Sequence, residues 1–166
     1  ILSDDMRALG GGTVFFMVMH DTFGREFHDR LAEQNPVFSR NLRNDERRIA
    51  RGEYPLYIPQ LLPYYTELKG LPVDFIVPKE GRPYVRFDLS VLKNAPHPNA
   101  ARLFINHFLE VQSQLVYANA GFTPTTKGVV ELTGDNVKAL LRTKVLGTTV
   151  PERQDEMLAL AKSIYK

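Results

Sequence analysis

The chain has no cysteine among its 166 residues. Disulfides, thiolate metal sites and cysteine nucleophiles are excluded, while the compartment stays open, because a lack of thiols suits oxidising and reducing surroundings alike. An excess of charge of one sign is lacking too: 21 basic against 19 acidic side chains leave a formal net charge of +2. That balance gives no electrostatic footprint for nucleic acid or an anionic membrane. The longest apolar run, Val14 to Met19, is far too short to span a bilayer. Neither a repeat of fixed period nor a low-complexity segment occurs. His20, His28, His97 and His107 make no metal-ligand spacing and read as structural; no His-Glu-x-x-His, nucleophile elbow or paired-carboxylate pattern is present. Ahead of Ile1 there is no basic, apolar, small-residue signal, as expected of a mature secreted chain or of part of a longer one.

What is present is ordinary globular composition, 43% hydrophobic and 24% charged, enough for one core or two small ones. Ile1 and Leu2 read as the end of a strand, followed by a polar turn and Gly10-Gly11-Gly12-Thr13. Phe15, Met19, Phe23, Phe27 and Leu31 recur every four residues, predicting a helix with one buried stripe. Gly24 is a break point, since mid-helix glycine costs about 1 kcal/mol relative to alanine. Residues 44–52 predict a second helix, with Asn44 as N-cap, Asp45 and Glu46 in its positive first turn, and Gly52 as its left-handed stop. Residues 54–58 read as a strand. Pro63 suits the first turn of a helix that carries Tyr64 and Tyr65 and stops at Gly70.

Residues 73–77 and 84–92 read as strands, the latter alternating around Val85, Phe87, Leu89 and Val91. Between them, Pro78 to Pro83 is the natural boundary or hinge. Pro98 suits the start of an amphipathic helix with a continuous face of Ala101, Phe104, Ile105, Phe108 and Leu109. Helicity resumes at residues 114–119 and stops at Gly121; residues 129–132 read as a weak strand, and 136–141 and 151–165 as helices. Strands alternating with helices argue for a layered α/β fold.

Three segments in this order resemble one family: Ile49-Ala50-Arg51-Gly52-Glu53-Tyr54-Pro55-Leu56, then Lys69-Gly70-Leu71-Pro72-Val73 through Pro78-Lys79-Glu80-Gly81, then Lys93-Asn94-Ala95-Pro96-His97-Pro98-Asn99-Ala100-Ala101 through Phe104-Ile105, followed by Gln114, Gly121 and Pro124. They are similar to the type 2 solute-binding proteins of ABC importers, in the ferric-iron, polyamine, thiamine and phosphonate group. The resemblance covers roughly residues 46–124; the last 40 residues fit only loosely. It implies a periplasmic or extracytoplasmic binding protein and not an enzyme. It implies further that the chain is the carboxyl-terminal part of a two-lobed molecule. Residues 1–80 would form most of the second lobe, 81–93 the hinge or crossing strand, and 94–166 a helical segment belonging to or packing on the first lobe. The partners implied are a small solute and a membrane permease, with no nucleic acid and no resident cofactor.

Each candidate residue carries two readings. Gly11, Gly12 and Thr13 open a helix, where exposed amides and a threonine cap can take an anion, or simply make a turn and a cap. No Gly-Lys-Ser/Thr follows, so this is not a phosphate-binding Walker loop. Arg40, with Arg43 and Arg47, can clamp a carboxylate or phosphate, or lie on a solvated face. Arg82 and Arg86 flank the crossing strand and have the same two readings. By resemblance to the ferric-binding branch, adjacent Tyr64 and Tyr65 are candidate iron ligands; packing or contact with an organic solute is the other reading. On a helix at most one of two neighbours faces a given site. The expected ligand is an anionic or polar organic solute, ahead of ferric ion. From a different class comes a small α/β enzyme on phosphate esters, binding through Gly10 to Thr13 with His20 or Asp21 as base.

Overall fold

Three short parallel strands form the first layer, β1 (Leu2–Asp4) in the centre between β2 (Val37–Ser39) and β3 (Tyr57–Ile58). Leu2 lies opposite both Val37 and Tyr57, and Asp4 opposite Ser39. Parallel neighbours need crossovers long enough to return the chain, and helices supply them. α1 (Gly11–Ala32) joins β1 to β2, and α2 (Leu42–Ala50) joins β2 to β3. The computed structural model describes residues 1–166, the side chain of Thr66 excepted. The chain divides into two compact units, one of Ile1–Val85 with Lys144–Lys166, the other of Arg86–Thr143. The expected carboxyl-terminal segment, 94–166, is thus divided between them.

Gly24 interrupts α1 as expected, with φ 75° and ψ −175°. The consequence is seen at His28, whose Nε2 lies 3.0 Å from the carbonyl oxygen of Phe16. In a straight helix those residues would stand about 18 Å apart at 1.5 Å per residue. The bend also breaks the expected stripe, because a four-residue period does not carry across it. Phe23 is exposed, while Phe16, Met17 and Leu31 join Met6, Met157, Ala161 and Tyr165 in the main core. A smaller cluster of Val14, Val18 and Met19 packs with Val85 and Leu146.

Other elements of the first unit differ from expectation in instructive ways. α2 begins earlier, because Asn41 rather than Asn44 is the cap: its side chain accepts a hydrogen bond from the Asn44 amide at 3.3 Å. α3 (Leu62–Glu67) has Pro63 in its first turn as foreseen. Residues 73–77 form no ladder, and of the expected strand 84–92 only its approach is paired. There β4 (Arg82–Pro83) runs parallel to β5 (Val145–Gly147), and the Tyr84 amide donates to the Gly147 carbonyl at 2.9 Å. Alternation gives a segment two faces, but a strand also needs a partner, and that is not local. After β5 the chain makes a 3₁₀ turn (Pro151–Arg153) and enters its last helix. Arg153 in that turn makes a two-pronged ion pair with Asp21 at 2.8 and 3.0 Å.

The second unit is helical: α4 (Pro98–Phe108), α5 (Val111–Asn119) and α6 (Asp135–Leu141). Residues 129–132, expected as a weak strand, instead enter a 3₁₀ turn (Val130–Leu132). Gln114 ties this unit together, its amide donating to the Phe108 carbonyl at 3.0 Å and its oxygen accepting from the Thr125 amide at 2.9 Å. The continuous face expected on α4 is only partly covered: Ala101, Ile105 and Phe108 are half-buried, whereas Phe104 and Leu109 are exposed. The last helix of the first unit is α7 (Gln154–Ile164).

α7 delivers Tyr165 to the bend of α1, where its hydroxyl sits 2.8 Å from Nδ1 of His28. The Phe16 carbonyl can only accept, so Nε2 carries the proton and Nδ1 accepts from tyrosine. His28 is fully buried, and burial lowers its pKa from 6.5 to about 4, against the opposing pull of the Phe16 carbonyl. Between those two values the unfolded chain binds more protons than the folded one. Stability is therefore full above pH 6.5 and declines as pH falls, by a total on the order of 3 kcal/mol. Urea unfolding is expected to show this decline between pH 6.5 and 5, above most carboxylate titration, and His28→Gln to flatten it. An unchanged slope in the variant would contradict the assignment.

Candidate functional site at the carboxyl edge of the sheet

β1 changes character as it leaves the sheet, from the buried apolar Leu2 to Asp4 and Asp5. Asp4 is only 8% exposed. Its Oδ2 accepts from the Gly12 amide at 2.7 Å, and its Oδ1 from the Asp5 amide at 3.0 Å. Burial lifts its pKa above the usual carboxylate value, with those amides and Arg40 pulling the other way. Asp5 goes the opposite direction: burial raises it, but bonds from the Arg7 side chain and amide, 2.9 and 3.0 Å, outweigh that and leave it lowered. The Arg7 guanidinium also lies over the Phe38 ring, 4.4 Å from its centroid.

Gly12 makes the contact possible. A β-carbon there would meet the Asp5 carbonyl carbon and oxygen at 2.7 Å and the Asp4 carbonyl oxygen at 2.8 Å, all backbone atoms. At Gly11 it would meet only the Asp4 carboxylate, at 3.0 Å. Thr13 donates its hydroxyl to the Ala8 carbonyl. The helix start that one of the two readings gives to an anion therefore holds the protein's own carboxylate at Gly12.

Acidic groups line the neighbouring side as well. Asp45 is fully buried and Glu46 is 4% exposed, both in the first half of α2. Arg48 donates to Asp45 at 3.3 Å, and Gln60 donates to Glu46 at 3.0 Å. Burial raises the pKa of Glu46. Tyr57 stands within the field of Asp4, Asp45, Glu46 and Tyr64; burial first, then those neighbours, raise its pKa. Both its hydroxyl and Oδ2 of Asp45 are buried without a hydrogen-bond partner among the described residues. Such orphaned atoms are uncommon in folded proteins.

Of the residues singled out in the sequence, Gly11, Gly12, Thr13 and Arg40 lie at this edge, and Tyr64 lies near enough to Tyr57 to act on it through its field. Tyr65 goes elsewhere, its ring 4.8 Å from that of Phe75. Among the described residues no group of three or more histidine or carboxylate side chains is placed to hold a metal ion. His20 lies nearly two turns beyond Thr13, about 10 Å along α1, and stacks near Phe16 and His28. Asp21 is held by Arg153. Sequence reading missed Asp4, Tyr57 and Gln60, and placed Asp45 and Glu46 only as acidic groups in the positive first turn of a helix. Their spacing on α2 carried no sign of burial; the one available signal was an Asp-Asp pair directly after an apolar strand.

This edge and fold define a mixed α/β protein with small parallel sheets, its polar side chains gathered where three strands end. The chain matches no family model, no curated protein and no solved structure.

Gly12→Ala is expected to cost about 1–3 kcal/mol, as overpacking against rigid backbone does. Gly11→Ala should cost clearly less, because only a side-chain oxygen must yield. Denaturant titration of both variants measures the difference; equal costs would show that the close approach of α1 to β1 is not the constraint.

Proposed function

We propose that the chain is the solute-binding component of an ABC importer, capturing a small polar solute outside the cytoplasmic membrane and passing it to a permease. One observation carries this reading: Asp4 and Arg40 stand at the carboxyl ends of β1 and β2, beside the start of α1, and Tyr57, on the strand that flanks β1 on its other side, feels the charge of Asp4. In open parallel sheets that crevice is where ligands lodge, since strand ends and helix starts bring polar groups together there. The residue pattern across 46–124 favours the same class. Binding requires no bond to be made or broken. Solute would hold two lobes in a closed form that the transporter recognises, a population shift toward the liganded state.

The phosphate-ester reading draws less support. Its phosphate cradle is filled at Gly12 by Asp4, and its base candidates lie about 10 Å farther along α1. Iron binding through adjacent tyrosines is weakened by Tyr65 packing on Phe75.

A thermal-shift screen of small polar solutes tests the proposal. A specific solute at about 100 times its dissociation constant should add about 2.7 kcal/mol of stability. The gain should be lost in Arg40→Ala and Tyr57→Phe and kept in Phe23→Ala, which alters a groove elsewhere on α1. Stabilisation indifferent to Arg40 and Tyr57, or none from any chemical class, would overturn it.

A further inference from the structure

We infer that Asp4 is the specificity-determining residue of this edge: it occupies, from inside the protein, the place that an anionic head group would take, and so restricts the solute to one presenting an uncharged or cationic hydrogen-bond donor. The inference builds on the solute-binding reading and narrows it to hydroxyl-, amide- or ammonium-bearing solutes.

The geometry is that of a ligand already in place. A helix start attracts a carboxylate or phosphate because its first amides have no partner within the helix. Here Oδ2 of Asp4 takes the Gly12 amide at 2.7 Å and lies 3.0 and 3.8 Å from where β-carbons on Gly11 and Gly10 would stand. The carboxylate thus occupies the Gly12 amide and lies close beside Gly11 and Gly10. Its position in the sheet is also the central one, since β1 is flanked on both sides. An incoming anion would have to dislodge Asp4 or sit against it.

Sitting against it is unfavourable, because the charge of Asp4 is not cancelled by contact. Among the described residues no arginine or lysine lies within ion-pair distance of Asp4; the nearby Arg7 is spent on Asp5 at 2.9 Å. Arg40 faces Asp4 only through its field and is itself exposed. Asp45 and Glu46, buried beside Tyr57, add further negative charge to the same side. Like charges without a counterion repel strongly where water is scarce. A donor group meets the reverse situation, with carboxylate oxygens ready to accept.

Inorganic phosphate is the probe, added at constant ionic strength with chloride as the control. The unmodified chain is expected to melt at the same temperature in phosphate as in chloride, with no saturable movement of the Gly12 amide resonance. Asp4→Gly empties the cradle and should gain phosphate-dependent stabilisation, saturating at about tenfold lower phosphate than any residual response of the unmodified chain. Phosphate moving the Gly12 amide in the unmodified chain overturns the inference, as does a folded Asp4→Gly that ignores phosphate. If Asp4→Gly does not fold, Asp4→Asn decides. It keeps an oxygen on the Gly12 amide but removes the charge, so it should respond to phosphate more strongly than the parent, and an unchanged response overturns the inference. A carboxylate-bearing solute that binds the unmodified chain and is lost in Arg40→Ala would remove this inference alone and leave the solute-binding reading standing. The reading itself falls separately, if no donor-bearing solute binds while the phosphate results come out as expected.

Discussion

How closely α1 can approach β1 governs everything at the carboxyl edge. The contact between the Asp4 carboxylate and the Gly12 amide exists only because residue 12 has no side chain, the strand backbone lying closer than a methyl group allows. Once the helix start is fixed there, Thr13 reaches the Ala8 carbonyl and closes the loop between strand and helix. The same approach aims Phe16 and Met17 into the main core and Val14 and Val18 into the smaller one. Packing and site geometry therefore share one cause. A buried carboxylate is costly unless hydrogen-bonded, and here two backbone amides satisfy it.

The second constraint is the bend at Gly24. It folds the far arm of α1 back so that His28 meets both Phe16 and Tyr165, which joins residues 137 apart in sequence. Phe16 and Phe38 pack edge-on against the Tyr165 ring, with centroids 6.2 and 5.3 Å away. The end of the chain is thereby part of the core that supports β1. Arg153 and Asp21 add an ion pair, but it is solvent-exposed, and such pairs contribute little.

Local features were legible in the sequence and nonlocal ones were not. Glycine and proline signals located the break at Gly24 and the starts of α3 and α4, because their backbone restrictions act on the residue itself. Asn41 and Asn44 show the limit of that approach: either can cap a helix, and the choice depends on where β2 releases the chain. Residues 73–77 and 84–92 read as strands, the latter by its alternation, yet find little or no ladder, since pairing depends on distant segments. β2 and β5, three residues each, were too short to show a period. At the site, glycines, Arg40 and Tyr64 were visible by residue type. Asp45 and Glu46 were visible too, but their burial arises from β3 and Gln60 packing over α2, which no local pattern encodes. For the glycine turn an anion position was one of two readings, the other a plain turn and cap. That the anion is Asp4, eight residues earlier, follows only from the strand and helix lying side by side.

The surface of the second unit has a different character. Leu92, Phe87, Leu103 and Val116 are each about 70% exposed, Leu103 on α4, Val116 on α5 and the other two on the irregular stretch before α4. The site is assigned to the first unit, at the carboxyl edge of its three-stranded sheet. The direct test of that assignment is hydrogen exchange, mapped along the chain with and without a solute that stabilises it. Slowed exchange is predicted at residues 4–13, 39–46 and 57–64, the three stretches that meet at the carboxyl edge. Slowing confined to residues 23–34 or to 86–143, with the edge unchanged, would contradict it.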